Sequence, residues 1–528
     1  MGTSIFRAAL DSTPTVNRKT LQRLQGVSKA FADAARRLIF ENVVVETPGQ
    51  GQRLVETLRE RPELAAFVRS IVIKPEAFSW PSAFFDLQQD ELLRLCSALR
   101  AFDSPYVAFA PLRDGRRAPT SYPQTLRSCR LGEPFATAQG YDSEDDSEDE
   151  VLGVQGHEKT TQGYISLLNS LPNPLTSLKL SQLGDALLPA TAPTTPFPLS
   201  HLTALLLDYI TISPALLEWV ASAPALARLQ VWCVKGIASG DILALVQRIG
   251  GQLKEVMFKP KGGKQGTRLG NEIVLLTPNL ERLTLGDKAC DHELWNARLP
   301  ASLVHLCVSL PQYHADARLA LVSTEIRTRL HRLKSLEVYS ALYFPPPVAL
   351  SYPDKQHSET FALRELRLSH INSAPGELAT LLATVGAGIY TLAAHHVAED
   401  LSSLLDSLPS LRRLELGVND YTTVERSASY LSSLDSPFLH YLRVHFTSAI
   451  SLAHLTSTLP SLAALKTLEL AGRFPDDLGT DWTSGKRVDE LVEACRTEQV
   501  ELRVNGRVVE TFGDWWAALV GQTGREML

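Results

Sequence analysis

The chain contains 528 residues, of which 44% are hydrophobic and 21% are charged. That composition is ordinary for a soluble protein, and no apolar run approaches the ~18 residues that a membrane-spanning helix needs. The formal net charge of −6 comes from one segment, because residues 142–150 hold seven carboxylates and the rest of the chain carries +1. The rest of the chain is therefore nearly neutral and lacks the basic charge that is typical of a nucleic-acid-binding protein.

Patterns that indicate metal, cofactor or nucleophile chemistry are lacking in the sequence. The six cysteines form no Cys-x-x-Cys pair, and the thirteen histidines show no ligand spacing on a helix. Neither a Gly-rich phosphate loop nor a Gly-x-Ser-x-Gly elbow occurs. We therefore predict no metal, no cofactor and no catalysis. Residues 1–10 show no secretory signal, so we expect a cytoplasmic or nuclear protein that does not enter a membrane.

The first third of the chain combines helical and extended segments. Residues 15–45 are predicted to form a helix followed by a short strand, and residues 52–67 a helix broken at Pro62. Residues 68–73 and 126–131 have the composition of strands, and residues 91–99 that of a helix. The segment 132–160 loses apolar periodicity and contains the acidic run, which is typical of a disordered insertion.

Thirteen copies of Leu-x-x-Leu-x-Leu, or a close variant, follow this region. They begin with Leu175-Leu178-Leu180 and end with Val500-Leu502-Val504, and 324 residues over twelve steps give a mean repeat of 27 residues. A unit of that length cannot bury its apolar face alone, so neighbouring units must stack. The intervals carry apolar residues at helical spacing. The sequence therefore predicts an α/β leucine-rich-repeat solenoid, a curved parallel sheet with outer helices.

The C-terminal segment is predicted to close the last repeat. Asn505-Gly506 lies between two alternating runs, which favours a type I′ hairpin. A helix with Trp515 and Trp516 follows and is suited to cap the open end. The expected organisation is a partial F-box-like helical region at 1–46, irregular repeats at 47–131, the acidic insertion at 132–160, the solenoid at 161–505 and a cap at 506–528.

Residues 24–45, LQGVSKAFADAARRLIFENVVV, resemble the second half of an F-box. They look most like the version found in fungal F-box proteins with leucine-rich repeats, and Leu54 to Ile71 is similar to the segment that follows in that group. The phrase LPSLRRLEL at 408–416 also suits it. The Leu-Pro and helix that open an F-box are not recognisable around residues 10–16. The resemblance is loose over most of the chain and detailed only at 24–73.

This resemblance implies a substrate receptor of an SCF-type cullin–RING ubiquitin ligase, in which a Skp-family adaptor binds the F-box and the repeats hold an unknown protein target. Outside such a complex the chain is expected to be a monomer. The residues that would face the adaptor, or the small core of the F-box, are Leu21, Leu24, Val27, Phe31 and Leu38.

The concave face is the predicted surface for the target, because the residues between and just after the two inner leucines of each repeat face that side. An apolar patch is expected at Leu206, Trp232 and Met257, flanked by Lys259. Exposed Tyr and Arg residues are common anchors of protein interfaces, which adds Tyr339, Arg367 and Arg443 to the candidates. The alternative is that Trp232 packs under a loop, or that the register differs by one residue.

Charged residues suggest two further features. Glu337, Arg367, Glu415, Arg443, Glu469 and Arg503 alternate in sign along the central positions, which favours a solvated series of ion pairs over a ligand clamp. In the acidic insertion, Ser143 and Ser147 each precede a carboxylate at the third position and are candidate phosphorylation sites; an unmodified solubilising loop is the equal alternative.

Two other functions remain open at this stage. A repeat scaffold or GTPase regulator without a link to ubiquitin fits the repeat length equally well. An enzyme on a parallel β-helix is the third reading, although its coils need three short strands and few helices.

Overall fold

The computed structural model describes seventeen stretches of the chain and one further residue, Leu382. The stretches are 37–73, 91–104, 122–132, 171–181, 200–208, 217–232, 239–259, 269–310, 318–319, 330–340, 349–350, 363–369, 386–395, 408–417, 438–445, 452–471 and 484–518, with single residues or short runs missing inside three of them (173, 219, 287–288, 291–293 and 295–298). The chain divides into two units, Met1–Lys261 and Gly262–Leu528.

The first unit carries a ladder of eight parallel strands in chain order. They are β1 (Asn42–Val45), β2 (Ser70–Ile73), β3 (Ala101–Asp103), β4 (Ser128–Gly132), β5 (Ser177–Ser181), β6 (Ala204–Asp208), β7 (Arg228–Trp232) and β8 (Glu255–Lys259). The ladder begins at Asn42, far upstream of the first Leu-x-x-Leu-x-Leu copy. The segment expected to hold irregular repeats therefore belongs to the same parallel arrangement.

The second unit carries a ladder of ten strands. Nine are parallel and in chain order: β9 (Arg282–Leu285), β10 (His305–Leu310), β12 (Ser335–Ser340), β14 (Glu365–Ser369), β15 (Thr391–His395), β16 (Arg413–Gly417), β17 (Tyr441–His445), β18 (Thr467–Ala471) and β19 (Glu501–Val504). The tenth, β20 (Arg507–Val508), pairs antiparallel to β19. A separate pair, β11 (Arg318–Leu319) and β13 (Ala349–Leu350), is also parallel.

Helices occupy several of the described intervals between strands. They are α1 (Pro48–Glu60), α2 (Pro62–Ala65), α3 (Ser239–Ile249), α4 (Leu269–Leu276), α5 (Leu452–Thr458) and α6 (Gly485–Thr497), with short 3-10 turns at Gly386–Gly388 and Leu459–Ser461. The break between α1 and α2 falls where Pro62 was expected to place it. Thr47 begins α1 earlier than predicted, because its hydroxyl accepts from the backbone N–H of Gln50 and Pro48 fits the first turn.

The core is built from the repeated leucines. In β5, Leu178 and Leu180 are 1% and 3% exposed, and Lys179 between them is half-buried. All thirteen motif copies form strands, and the same alternation of buried and half-buried side chains recurs through most of them. Each fully buried leucine contributes about 1.5–3 kcal/mol relative to an exposed one. The predicted α/β leucine-rich-repeat solenoid is confirmed, with one ladder strand per repeat and helices in several of the described intervals.

The C-terminal end has the expected hairpin. Asn505 and Gly506 adopt positive φ angles of 48° and 78°, as a type I′ turn requires. Residues 512–518 are helical, and Trp515 within them is fully buried. The Arg507 guanidinium donates to the backbone carbonyl of Ala517 over 3.2 Å, which ties this helix to the hairpin.

Candidate functional site: the open face of each ladder

Each ladder has one face built from leucines and one built from mixed residues, which we call the open face. Its central row is the set of residues between the two buried leucines of each strand. Strand pairing aligns this row in the first unit as Val72, Asp103, Arg130, Lys179, Leu206, Gln230 and Met257. In the second unit it aligns Thr284, Cys307, Glu337, Arg367, Ala393, Glu415, Arg443, Glu469 and Arg503. The register is the one expected from the sequence.

A groove of about 390 Å³ runs along the open face of the first unit, across β2 to β7. Its central-row lining combines apolar Val72 and Leu206 with polar and charged side chains. Lys179 Nζ lies 3.1 Å from Asp208 Oδ2, and Gln230 Nε2 donates to Glu255 Oε1 over 2.9 Å. The polar side chains of the groove are thus fixed by neighbouring strands, and apolar surface is left between them.

Trp232, which lies on the last strand that lines this groove, forms a pair with Lys259. They are register partners on β7 and β8, and Lys259 Nζ lies 5.6 Å from the centre of the indole ring. Trp232 is 39% exposed, while Leu206 and Met257 are half-buried on the central row nearby. An ammonium over a Trp face is attracted by the ring and orders an exposed aromatic side chain.

Tyr339, Arg367 and Arg443 lie on the open face of the second unit. Tyr339 is 36% exposed, and its hydroxyl donates to Glu337 Oε2 over 3.0 Å. Burial and the neighbouring Glu337 carboxylate raise the pKa of Tyr339 well above its usual range, so the phenol stays neutral. The two arginines belong to a series of ion pairs.

The alternating charges of the second unit pair along the row. Arg367 Nε lies 3.2 Å from Glu337 Oε1, and Arg443 Nε lies 3.7 Å from Glu469 Oε1. Arg503 pairs with Glu501 of its own strand. A predicted series of ion pairs is therefore present, and most of its members are a third exposed or less, which makes them less screened than surface pairs.

Glu415 lies at the centre of this series and is only 2% exposed. Its Oε1 accepts from Arg413 Nη2 over 2.8 Å, and its Oε2 accepts from Arg367 Nη1 over 3.3 Å. Burial acts to raise the pKa of Glu415, but the hydrogen bond from Arg413 and the charges of both arginines outweigh it, so the pKa is lowered. The guanidinium of Arg413 also lies 4.0 Å from the ring centre of Tyr441, whose hydroxyl donates to Glu469.

The residues that directly follow the second leucine of each strand are more buried than predicted. These residues were expected to face the open side, but several of them are buried: Ser181, Asp208, Ser309, Ser369 and Ala471. The longer Trp232 and Tyr339 of the same row reach solvent. The open face is therefore narrower than the sequence suggested.

Two histidines in this same row lie beside Glu415. His395 and His445 flank Gly417, and the possible ligand atoms of His395, His445 and Glu415 all lie within 4.8 Å of one another. Sequence reasoning missed this cluster because it looked for ligand spacing along a helix. The available signal was the strand register, which aligns residues one repeat apart.

The predicted adaptor-binding residues Leu21, Leu24, Val27 and Phe31 lie outside the described residues, as do Ser143, Ser147 and the acidic insertion. Leu38 is half-buried within helical residues 37–41, directly before β1. Arg37 in the same turn places its guanidinium 5.2 Å from the ring centre of Phe67. This contact joins residues 37–41 to the segment that leads into β2.

The comparisons with known proteins found similar solved structures but no match in sequence. No protein-family model and no curated protein matches the sequence. Among solved structures, a chain of the yeast Rad7–Elc1 complex is 13% identical, with 87% of this chain and 93% of that chain covered at a TM-score of 0.37. The leucine-rich-repeat protein LegL7 from Legionella pneumophila is 13% identical, with 91% and 98% covered at 0.23. The internalin inlF from Listeria monocytogenes is 15% identical, with 58% and 76% covered at 0.25.

The ladders and their open faces define the class of this protein as a leucine-rich-repeat solenoid, an architecture for protein–protein interaction. Within the part of the chain that the structure describes, none of the helices combines the length and apolar character needed to cross a membrane.

Proposed function

We propose that this chain is a non-catalytic recognition subunit, an F-box-type substrate receptor of a cullin–RING ubiquitin ligase, that binds a protein target on its open face. The observation that carries the target-binding half is the exposed Trp232–Lys259 pair, whose tryptophan lies on the last strand that lines the groove. The adaptor-binding half rests on the resemblance of residues 24–73 to the second half of an F-box and the segment after it. Such a subunit acts in the cytoplasm or nucleus and is monomeric outside its complex.

The groove has the features of a protein-binding surface rather than a small-molecule pocket. It extends over six neighbouring strands and is formed by side chains held in place by neighbouring strands. Interfaces of this kind derive most of their binding energy from a few aromatic or arginine side chains surrounded by ordered neighbours. Among the described residues of the first unit, Trp232 is the exposed side chain that best meets this description, because it offers a large apolar surface beside a charged lysine.

The target half is tested by affinity purification of the full-length chain with quantitative mass spectrometry. Replacement Trp232→Ala is expected to reduce recovery of the specific target at least tenfold, since truncation of an aromatic anchor costs about 2 kcal/mol or more. Trp516→Ala is the matched control, because Trp516 is also exposed, at 47%, but lies in the C-terminal cap. Equal recovery of every captured protein by both variants would contradict the proposal.

The adaptor half is tested by co-expression with a Skp-family adaptor. Val27→Asp and Phe31→Asp are each expected to abolish co-elution, because a carboxylate would enter the apolar face that the resemblance assigns to the adaptor or to the small core of the F-box. Leu275→Asp is the control, since Leu275 is 58% exposed on α4. Absence of co-elution with the unaltered chain would overturn this half and leave target binding intact.

A truncation distinguishes a ubiquitin-ligase receptor from a repeat scaffold that has no link to ubiquitin. The cut belongs before residue 37, because β1 pairs with β2 and residues 37–41 lead directly into it. Removal of residues 1–36 is expected to leave target binding unchanged and to raise the cellular level of the target. If the level of the target stays the same, a repeat scaffold or GTPase regulator becomes the better description.

A further inference from the structure

Three potential metal ligands meet on the open face of the second unit. His395, Glu415 and His445 come from the consecutive strands β15, β16 and β17, and their ligand atoms lie within 4.8 Å of one another. The two imidazole rings pack edge to face with their centres 4.6 Å apart. Adjacent parallel strands lie about 4.8 Å apart. Side chains on two strands that flank a third can therefore meet only where the middle strand has no side chain between them.

Gly417 provides that gap. It is the register partner of both His395 and His445, and a Cβ at this position would lie 2.2 Å from His395 Nδ1 and 2.9 Å from its Cγ. Any other residue would push the His395 ring away from His445. The close approach of the two histidines is thus built into the sequence at residue 417.

Glu415 is held in place by its two arginines. Its Oε1 accepts two hydrogen bonds from Arg413, and its Oε2 accepts one from Arg367, which leaves a second lone pair on Oε2 for a metal ion. Carboxylates that bind metals are commonly hydrogen-bonded in this way by outer partners, which fix their orientation. The positive charges of the row are offset by Glu337 beside Arg367 and Glu469 beside Arg443.

We propose that His395, His445 and Glu415 form a binding site for a divalent transition metal of the zinc class. Two imidazoles and one carboxylate suit Zn²⁺, whereas Mg²⁺ and Ca²⁺ prefer oxygen ligands alone. Ligand atoms of a tetrahedral zinc site lie about 3.3 Å apart, so modest rotation of the two rings closes the present arrangement. Three protein ligands leave a fourth position on the open face for water or for a side chain of a bound protein.

The site is tested by competition of the full-length, metal-free chain with a chromogenic zinc chelator at neutral pH. His395→Asn and His445→Asn are each expected to weaken one binding event at least tenfold. His331→Asn is the matched control, because His331 is exposed and lies away from the cluster, and it is expected to bind as the unaltered chain does. An excess of Mg²⁺ is expected not to displace the zinc.

Gly417→Ala gives an independent test without removing a ligand. The added methyl group displaces His395, so zinc affinity is expected to fall while all three ligands remain. Binding of Co²⁺ adds a spectroscopic test, since tetrahedral nitrogen and oxygen ligation gives intense visible absorption that the two histidine variants lose. The proposal is overturned if the unaltered chain does not retain zinc against the chelator, or if His331→Asn weakens binding as much as the cluster variants. Neither result bears on the adaptor or the target, which are tested by other residues.

Discussion

Arg367 and Glu415 form an ion pair across an entire intervening strand. Arg367 lies on β14 and Glu415 on β16, yet Arg367 Nη1 is 3.3 Å from Glu415 Oε2. The residue between them on β15 is Ala393, whose methyl group is short enough to be covered completely by the two longer side chains. One small residue therefore lets a single arginine bridge Glu337 and Glu415.

Glu415→Gln is expected to lower the free energy of unfolding by about 1–2 kcal/mol, because it removes the charge that two arginines share. The loss is small because both arginines are partly exposed and water can replace the lost acceptor. Chemical denaturation measures the change. Glu490→Gln on α6 is the control, since its pairs are more exposed and are worth about 0.5 kcal/mol or less.

Acidification is expected to reduce the difference in the free energy of unfolding between the unaltered chain and Glu415→Gln. The pKa of Glu415 in the folded protein is lowered from 4.5, so its ionised form stabilises the fold above about pH 4.5 and that contribution is lost as the pH falls through the lowered value. Protonated Glu415 resembles glutamine. Denaturation at about pH 7 and about pH 3 gives the comparison; a difference that stays constant, or grows, in acid would show that the charge is not the cause.

Leu414→Ala is expected to destabilise the second unit by about 2–5 kcal/mol, because Leu414 is 1% exposed and its loss leaves a cavity inside the ladder. Leu275→Ala makes the same chemical change at a position that is 58% exposed, and is expected to alter stability by no more than about 0.5 kcal/mol. Thermal or chemical unfolding distinguishes them. Similar effects at both positions would be inconsistent with the buried face described above.

Two glycines give opposite expectations for the same substitution. Gly506→Ala is expected to cost about 1–2 kcal/mol, because φ at Gly506 is +78° in the terminal hairpin. Gly240→Ala on α3 has free space around it and is expected to stabilise the fold by about 0.4–1 kcal/mol. Unfolding curves of the two variants provide the test, and a neutral Gly506→Ala would argue against the type I′ turn.

The strands could be predicted from the sequence because each motif places its own leucines in the core. β3 was missed, since Ala101-Phe-Asp103 is too short to show alternation. The α4 helix was expected only in general terms, as part of a helical interval. The acidic insertion and the F-box-like residues before Arg37 remain predictions that the described residues do not test.

The open face was harder to predict because it depends on neighbours from other repeats. Asp208 is buried and pairs with Lys179 of the preceding strand, a contact that no pattern within β6 reveals. The meeting of His395 and His445 depends on Gly417 in a third strand. The strand register predicts which residues are aligned on neighbouring strands. Whether two of them are in contact depends on the size of the side chain on the strand between them.

The most direct test of the central claim, that the open face binds a protein, is photo-crosslinking in cells from the full-length chain. Benzoylphenylalanine replaces Gln230 on the open face or, as the control, Gln247 on the exposed side of α3. We predict a discrete crosslinked protein from position 230 that Trp232→Ala abolishes, and no such product from position 247. Crosslinks of equal strength from both positions, or from 247 alone, would contradict the account.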